Sequence, residues 1–132
     1  MELLTLLVAD YANVAEGNKL NVIGVFNEIA ASAFPALHPS MVIVARFSAS
    51  PAEANAARKV NIKVMDDDGK LTLIDFPRDV RVDQPTPGRR KEVNVILRLQ
   101  GVVFPHEGTY QVSVLVDGDE KGHAPLYVVQ AQ

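Results

Sequence analysis

The residues whose chemistry has to be weighed first are His38, His106 and His123, the run Asp66-Asp67-Asp68, and the serines at 32, 40, 48, 50 and 113. No two histidines stand at His-x-His or His-x-x-x-His spacing, so none forms a local zinc-ligand pair. Asp66-Asp67-Asp68-Gly69 reads first as turn chemistry, and it lacks the spacing of an EF-hand loop. Chain parity offers a sharper arrangement. If successive strands run up and down, the loops Ala31–Ser40, Asp66–Gly69 and Gly101–Gly108 share one end. That end collects His38, Asp66, Asp67, Asp68, His106 and Glu107, a candidate metal set, because several loop carboxylates together can hold Ca²⁺. No serine lies in Gly-x-Ser-x-Gly, and there is neither a Gly-x-Gly-x-x-Gly nor a Walker pattern. No catalytic or cofactor-binding residue is assigned, no cofactor is expected, and the chain reads as non-catalytic.

Composition narrows the partner classes. Net charge is −3, from 13 basic and 16 acidic residues. This mild balance implies no steering toward nucleic acid or an anionic membrane. Arg89-Arg90-Lys91 is a short basic cluster, but with eight aromatics and no Trp the stacking platform of a single-strand binder is missing. There is no cysteine, which removes disulfides, thiolate zinc sites and thiol nucleophiles. The apolar run Leu3–Ala9 starts after Glu2 instead of a basic segment and reads as a buried strand, not a signal peptide. No stretch reaches the roughly 20 apolar residues of a spanning helix. A cytoplasmic protein without nucleic-acid or membrane partners is expected.

The elements that must position these residues are strands. Leu3–Tyr11 and Leu20–Ile29 flank a turn at Ala15-Glu16-Gly17-Asn18, where Gly and Asn tolerate positive φ. Ala31–Ser40, broken by Pro35 and Pro39, reads as a loop before the strand Met41–Ser48. Ser50, Pro51 and Glu53 form a capping-box signal, and the Ala-rich sequence after them predicts a short helix to Ala57. Lys59–Met65 alternates, with Val60, Ile62 and Val64 on one face. Asp-Gly turns at 68–69 and 117–118 predict hairpins. Pro77 and Pro125 point to edges or bulges. Gln84–Arg90 and Gly101–Gly108 read as loops around the strand Glu92–Gln100. Thr109–Val116 and Lys121–Val129 close the chain. The result is one domain over residues 1–132, an all-β, immunoglobulin-like antiparallel β-sandwich of about eight strands with one short helix.

Two resemblances attach to particular residues. Pro105-His106-Glu107-Gly108-Thr109-Tyr110-Gln111-Val112-Ser113-Val114 resembles the entry to the penultimate strand of immunoglobulin-like domains. That resemblance implies a Tyr110 hydroxyl bonded to the backbone at the corner. The Cys pair and core Trp of antibody domains are absent. The opening, Ala9-Asp10-Tyr11-Ala12 followed by Gly17-Asn18-Lys19-Leu20-Asn21-Val22-Ile23-Gly24-Val25-Phe26, is similar to a family of small uncharacterised bacterial proteins. They share an Ala-Asp-Tyr-Ala-like segment, a Gly-Lys-Leu-like turn and the closing hairpin. This likeness implies no activity and brings no catalytic residues.

The first hairpin is apolar on both faces, whereas the outer face of an ordinary sandwich alternates to polar. Something must cover it, either internal structure or a second copy of the chain. Leu3, Leu7, Ile23, Val25 and Ile29 are the candidate interface. The sequence therefore reads as a binding or assembly module, a homo-oligomer or a partner of another protein. The alternative is a small metal-dependent or small-molecule-binding enzyme using the loop end with His38, Asp66–Asp68 and His106.

Overall fold

The structure is a computed structural model and describes residues 1–82 and 87–132. Among the described residues nine strands form two stacked sheets. The strands are β1 (Glu2–Ala15), β2 (Lys19–Val25), β3 (Glu28–Ala31), β4 (Ala36–Ala49), β5 (Ala57–Asp66), β6 (Thr72–Arg81), β7 (Lys91–Phe104), β8 (Gly108–Val116) and β9 (Asp119–Gln130). The first sheet runs β2-β1-β4-β7 and the second β3-β9-β8-β5-β6. Between them lies the main core. Met41, Ile43, Ala45 and Phe47 of β4 meet Val60, Ile62 and Val64 of β5 and Tyr110, Val112 and Val114 of β8. The strict alternation of β5 and β8 supplies this layer, and each buried Val, Ile or Phe contributes roughly 1.5–3 kcal/mol.

The β-sandwich reading holds, with four local differences. First, Leu20–Ile29 is two strands, not one. β2 pairs antiparallel with β1, the chain leaves that sheet at Phe26-Asn27, and β3 pairs parallel with β9. The Phe26 N–H donates to Val8 O at 3.0 Å and the Asn27 carbonyl accepts from Tyr127 N–H at 2.7 Å. The crossing residues are thereby bonded once to each sheet. Second, the Ala31–Ser40 loop is mostly strand, because β4 and β7 stay paired from Ala36–Phe104 to Ala49–Lys91. Third, that same ladder turns the first half of the Gly101–Gly108 loop into strand.

Fourth, the helix expected over Ser50–Ala57 is only a 3-10 turn at Pro51–Glu53. The capping chemistry is present: the Ser50 N–H and hydroxyl both donate to Glu53 Oε1. Asn55 then takes φ 59°, its N–H donates to Val82 O at 2.9 Å, and Ala57 already belongs to β5. This segment must carry the chain from one sheet to the other. Pairing with the neighbouring strands outweighs an Ala preference of a few tenths of a kcal/mol per residue. The loop expected over Gln84–Arg90 falls partly outside the described residues.

Pro77 lies on β6, an edge strand, as its missing N–H requires. Pro125 lies on β9 opposite Gln111. The parallel partner β3 covers β9 only from Tyr127 onward, so Pro125 sits where β9 has no ladder on that side.

Candidate functional site

The two-faced hairpin is covered from within on one of its sides. β1 pairs with β4 only through Ala9 and with β2 from Ala9 to Ala15. Its second half therefore leaves the sheet, together with β2, as an arm spanning Asp10–Val25. The tip of that arm docks on β7. Asn18 Nδ2 donates to Glu92 O at 2.9 Å, and Asn94 Nδ2 donates to Asn18 Oδ1 at 3.0 Å. Arg98 donates to Ala12 O at 3.1 Å. Beneath the arm, Ala9, Ala12, Val42, Val44 and Ile96 form a second apolar cluster, joined by Leu7, Leu20 and Val22. The outer face of the β4–β7 pair is thus a small core, which is why β1 is apolar on both sides.

This geometry divides the expected interface residues. Leu3 packs on the main core and over Gly122, because a bulge between Leu3 and Thr5 turns it inward and leaves Leu4 exposed. Leu7 is half-buried in the second cluster. Ile29 is 7% exposed and belongs to the main core through β3, which corrects its placement on a surface. Ile23 and Val25 remain outward, 62% and 57% exposed. Tyr11 faces Ile23 across the ladder and is also exposed. These three make an apolar strip beside the free edge of β2.

Gly24 shapes the root of the arm. It has φ 73°, and a Cβ there would collide with the Asp10 carboxylate. Next to it are two clefts. One, of about 420 Å³, lies between the arm root and β9 and is lined by Leu6, Val8, Val25, Phe26 and Pro125 among others. The other, of about 350 Å³, lies beyond Phe26 and includes Asp10, Glu28 and His38. Sequence reasoning missed Asp10 and Glu28 as neighbours of His38. The pattern that marks Asp10 is a glycine placed opposite it in a strand otherwise made of larger side chains.

The expected metal set separates. His38 is on β4, its ring 5.7 Å from that of Phe26. Glu107 accepts from Gln130 N–H. Asp67 and Asp68 are exposed in the hairpin turn, and Asp68 accepts from Lys70 N–H at 3.0 Å. Asp66 is buried and accepts from Leu71 N–H at 2.9 Å. That bond, helped by Asp68 and Lys70, holds the carboxyl below the usual carboxylate range. His106 Nε2 lies 4.0 Å from Asp66 Oδ2, and its ring stacks on Tyr110. Between the different turns, Asp66 and His106 are the pair that meets. Among the described residues no three His, Asp or Glu side chains converge as a metal site. The Tyr110 hydroxyl donates to His106 O at 2.7 Å, the corner bond that the immunoglobulin-like resemblance implied.

Several of the remaining reactive residues have structural partners. Arg90 donates to the Ser48 hydroxyl and carbonyl, at 2.6 and 3.0 Å, and faces Glu2 at 3.8 Å. The Ser113 hydroxyl accepts from Gln111, and His123 pairs with Glu120 at 3.7 Å. No helix among the described residues is long and apolar enough to cross a membrane. Residues 4–129 match a family model described as Family of unknown function (DUF6941). No curated protein matches the chain.

Proposed function

The chain belongs to that family of unknown function, and from this premise we propose that it is a non-catalytic binding or assembly module of the bacterial cytoplasm. The observation that carries this reading is the strip of Tyr11, Ile23 and Val25, exposed on the outer side of the arm. Contiguous exposed apolar groups beside an unpaired strand are what a protein partner covers. The partner class is another protein or a second copy, not nucleic acid or membrane, in keeping with the mild mixed charge. The test retrieves the tagged chain and its Ile23→Lys variant from native cells and compares co-purifying proteins, self-association included. Loss of partners in the variant is expected. Identical partners and identical self-association in both would end this reading.

A second reading, a small metal-dependent or small-molecule-binding enzyme, draws on the Asp66–His106 contact. Calorimetry with Ca²⁺, Mn²⁺ and Zn²⁺ decides it. Heat that disappears in Asp66→Asn would support a site there, and no heat at millimolar metal would remove it.

A further inference from the structure

The four outer edges of the two sheets differ in how they are guarded. β6 carries Pro77 and the charges Asp75, Arg78, Asp79 and Arg81. The edge of β7 is capped where Arg78 donates to Ile96 O at 3.1 Å. β3 is four residues long. Short length, Pro and charge are the devices by which edges avoid pairing with other chains. β2, Lys19-Leu20-Asn21-Val22-Ile23-Gly24-Val25, has one charged residue and no Pro.

Its backbone is also presented for pairing. Ala12 O is taken by Arg98 and so points away from β2. In an antiparallel ladder two opposed residues either both face each other or both face away. Val22, opposite Ala12, therefore turns its N–H and C=O to the free edge. By alternation Leu20 does the same.

Resting on the assembly reading above, we infer that the partner is a second copy of this chain, joined β2 to β2 in antiparallel fashion across a two-fold axis. Leu20 of one copy stands opposite Val22 of the other and the reverse, so four backbone groups on each side find partners. Asn21 meets its own copy at the axis. Lys19 stands opposite Ile23 of the other copy, its stem covering that side chain. Its charge is directed toward the end of the arm where Asp10 and Glu28 are exposed. The opposite charges at the two ends of the arm are thus paired by the antiparallel arrangement. Glu16 lies in the turn outside the paired length. Tyr11, adjacent to Ile23, is covered in the same contact.

The absence of cysteine makes the test direct. At the axis the two Asn21 Cα atoms would be about 4.5 Å apart, as in a non-hydrogen-bonded pair, within the range a disulfide spans. Asn21→Cys is expected to give a disulfide-linked dimer under mild oxidation, with a circular dichroism spectrum like that of the parent. Asp79→Cys, on the β6 edge, should not. By light scattering at a concentration on the order of 100 μM, the parent should be a dimer. Ile23→Lys would set like charges opposite each other and should weaken association at least about tenfold. A dimer indifferent to Ile23→Lys and not cross-linked through residue 21 would overturn this interface while leaving an assembly module standing. A monomeric parent would overturn self-pairing. A monomeric parent whose retrieved partners also ignore Ile23→Lys would overturn the assembly reading as well.

Discussion

Tyr110 shows how much one side chain organises. Its ring is buried in the main core, edge-on to Phe104 with centroids 5.1 Å apart. Its hydroxyl reaches the His106 carbonyl and ties the β7–β8 turn to the sheet. Burial is the main influence on its ionisation and pushes the phenol above its ordinary value. The neutral form is therefore the folded form. The stability it contributes is complete below the unfolded value near 10 and is lost as pH rises from there through the raised folded value. Tyr110→Phe keeps the ring and leaves a carbonyl without its donor. It should cost about 1 kcal/mol in urea denaturation at neutral pH and flatten the alkaline loss. An unchanged midpoint would show that the corner bond contributes nothing. The Tyr-corner pattern was legible in the sequence because Gly108-x-Tyr110 precedes an alternating strand. Chain parity placed His106 and Asp66 at one end, but their approach to 4.0 Å depends on how two distant turns meet.

At the scale of the element, the arm is the distinctive piece. Gly24 permits it to leave the sheet, and Asp10 fills the space above that glycine. Gly24→Ala should destabilise by at least about 1–2 kcal/mol from the positive φ alone, with a further loss from the collision with Asp10. Asp10→Ala removes the collision but not the backbone strain. Denaturation of the double variant should therefore show a smaller loss than the sum of the singles. Strict additivity would mean that the Asp10–Gly24 packing is not what limits the site. The hairpin and its turn were legible from alternation and from Gly17-Asn18. The break at Phe26-Asn27 was not, because no Gly or Pro marks Val25-Phe26-Asn27-Glu28-Ile29 and only pairing to two different sheets separates its halves. The lost helix has the same cause: Ser50, Pro51 and Glu53 signal a start, but the distance between sheets decides where it stops.

At the scale of the whole molecule, three carboxylates make acid the weak side of the stability profile. The Leu71 N–H lowers Asp66. The Lys59 N–H and Arg58 lower Asp117, whose side chain accepts from both. Burial works to raise Glu53, but the N-terminal ammonium of Met1, 2.8 Å away, and Ser50 outweigh it and leave it lowered. Groups held below their unfolded values contribute stability that is present above about pH 4–5 and lost as pH falls through the folded values. Unfolding free energy should thus decline below about pH 5, and Asp66→Asn should make the acid side of the curve shallower. An identical curve in that variant would show that Asp66 carries no such linkage. If the β2–β2 dimer forms, melting temperature should also rise with protein concentration.

The sequence by itself determined the class of fold, the Asp-Gly hairpins, the inward faces of β5 and β8, and the corner at Tyr110. These follow from alternation and turn chemistry, which act over a few neighbouring residues. It also showed that β1 is apolar on both faces and calls for cover. Only the tertiary structure decided by what. The arm folds back because Asn18 finds Glu92 and Asn94 on β7, more than 70 positions away in the chain. The same folding half-buried Leu7, drew Ile29 into the core, and left Ile23 and Val25 outside. Burial is a property of the assembled sheets, and no local pattern distinguishes an apolar residue facing its own arm from one facing water.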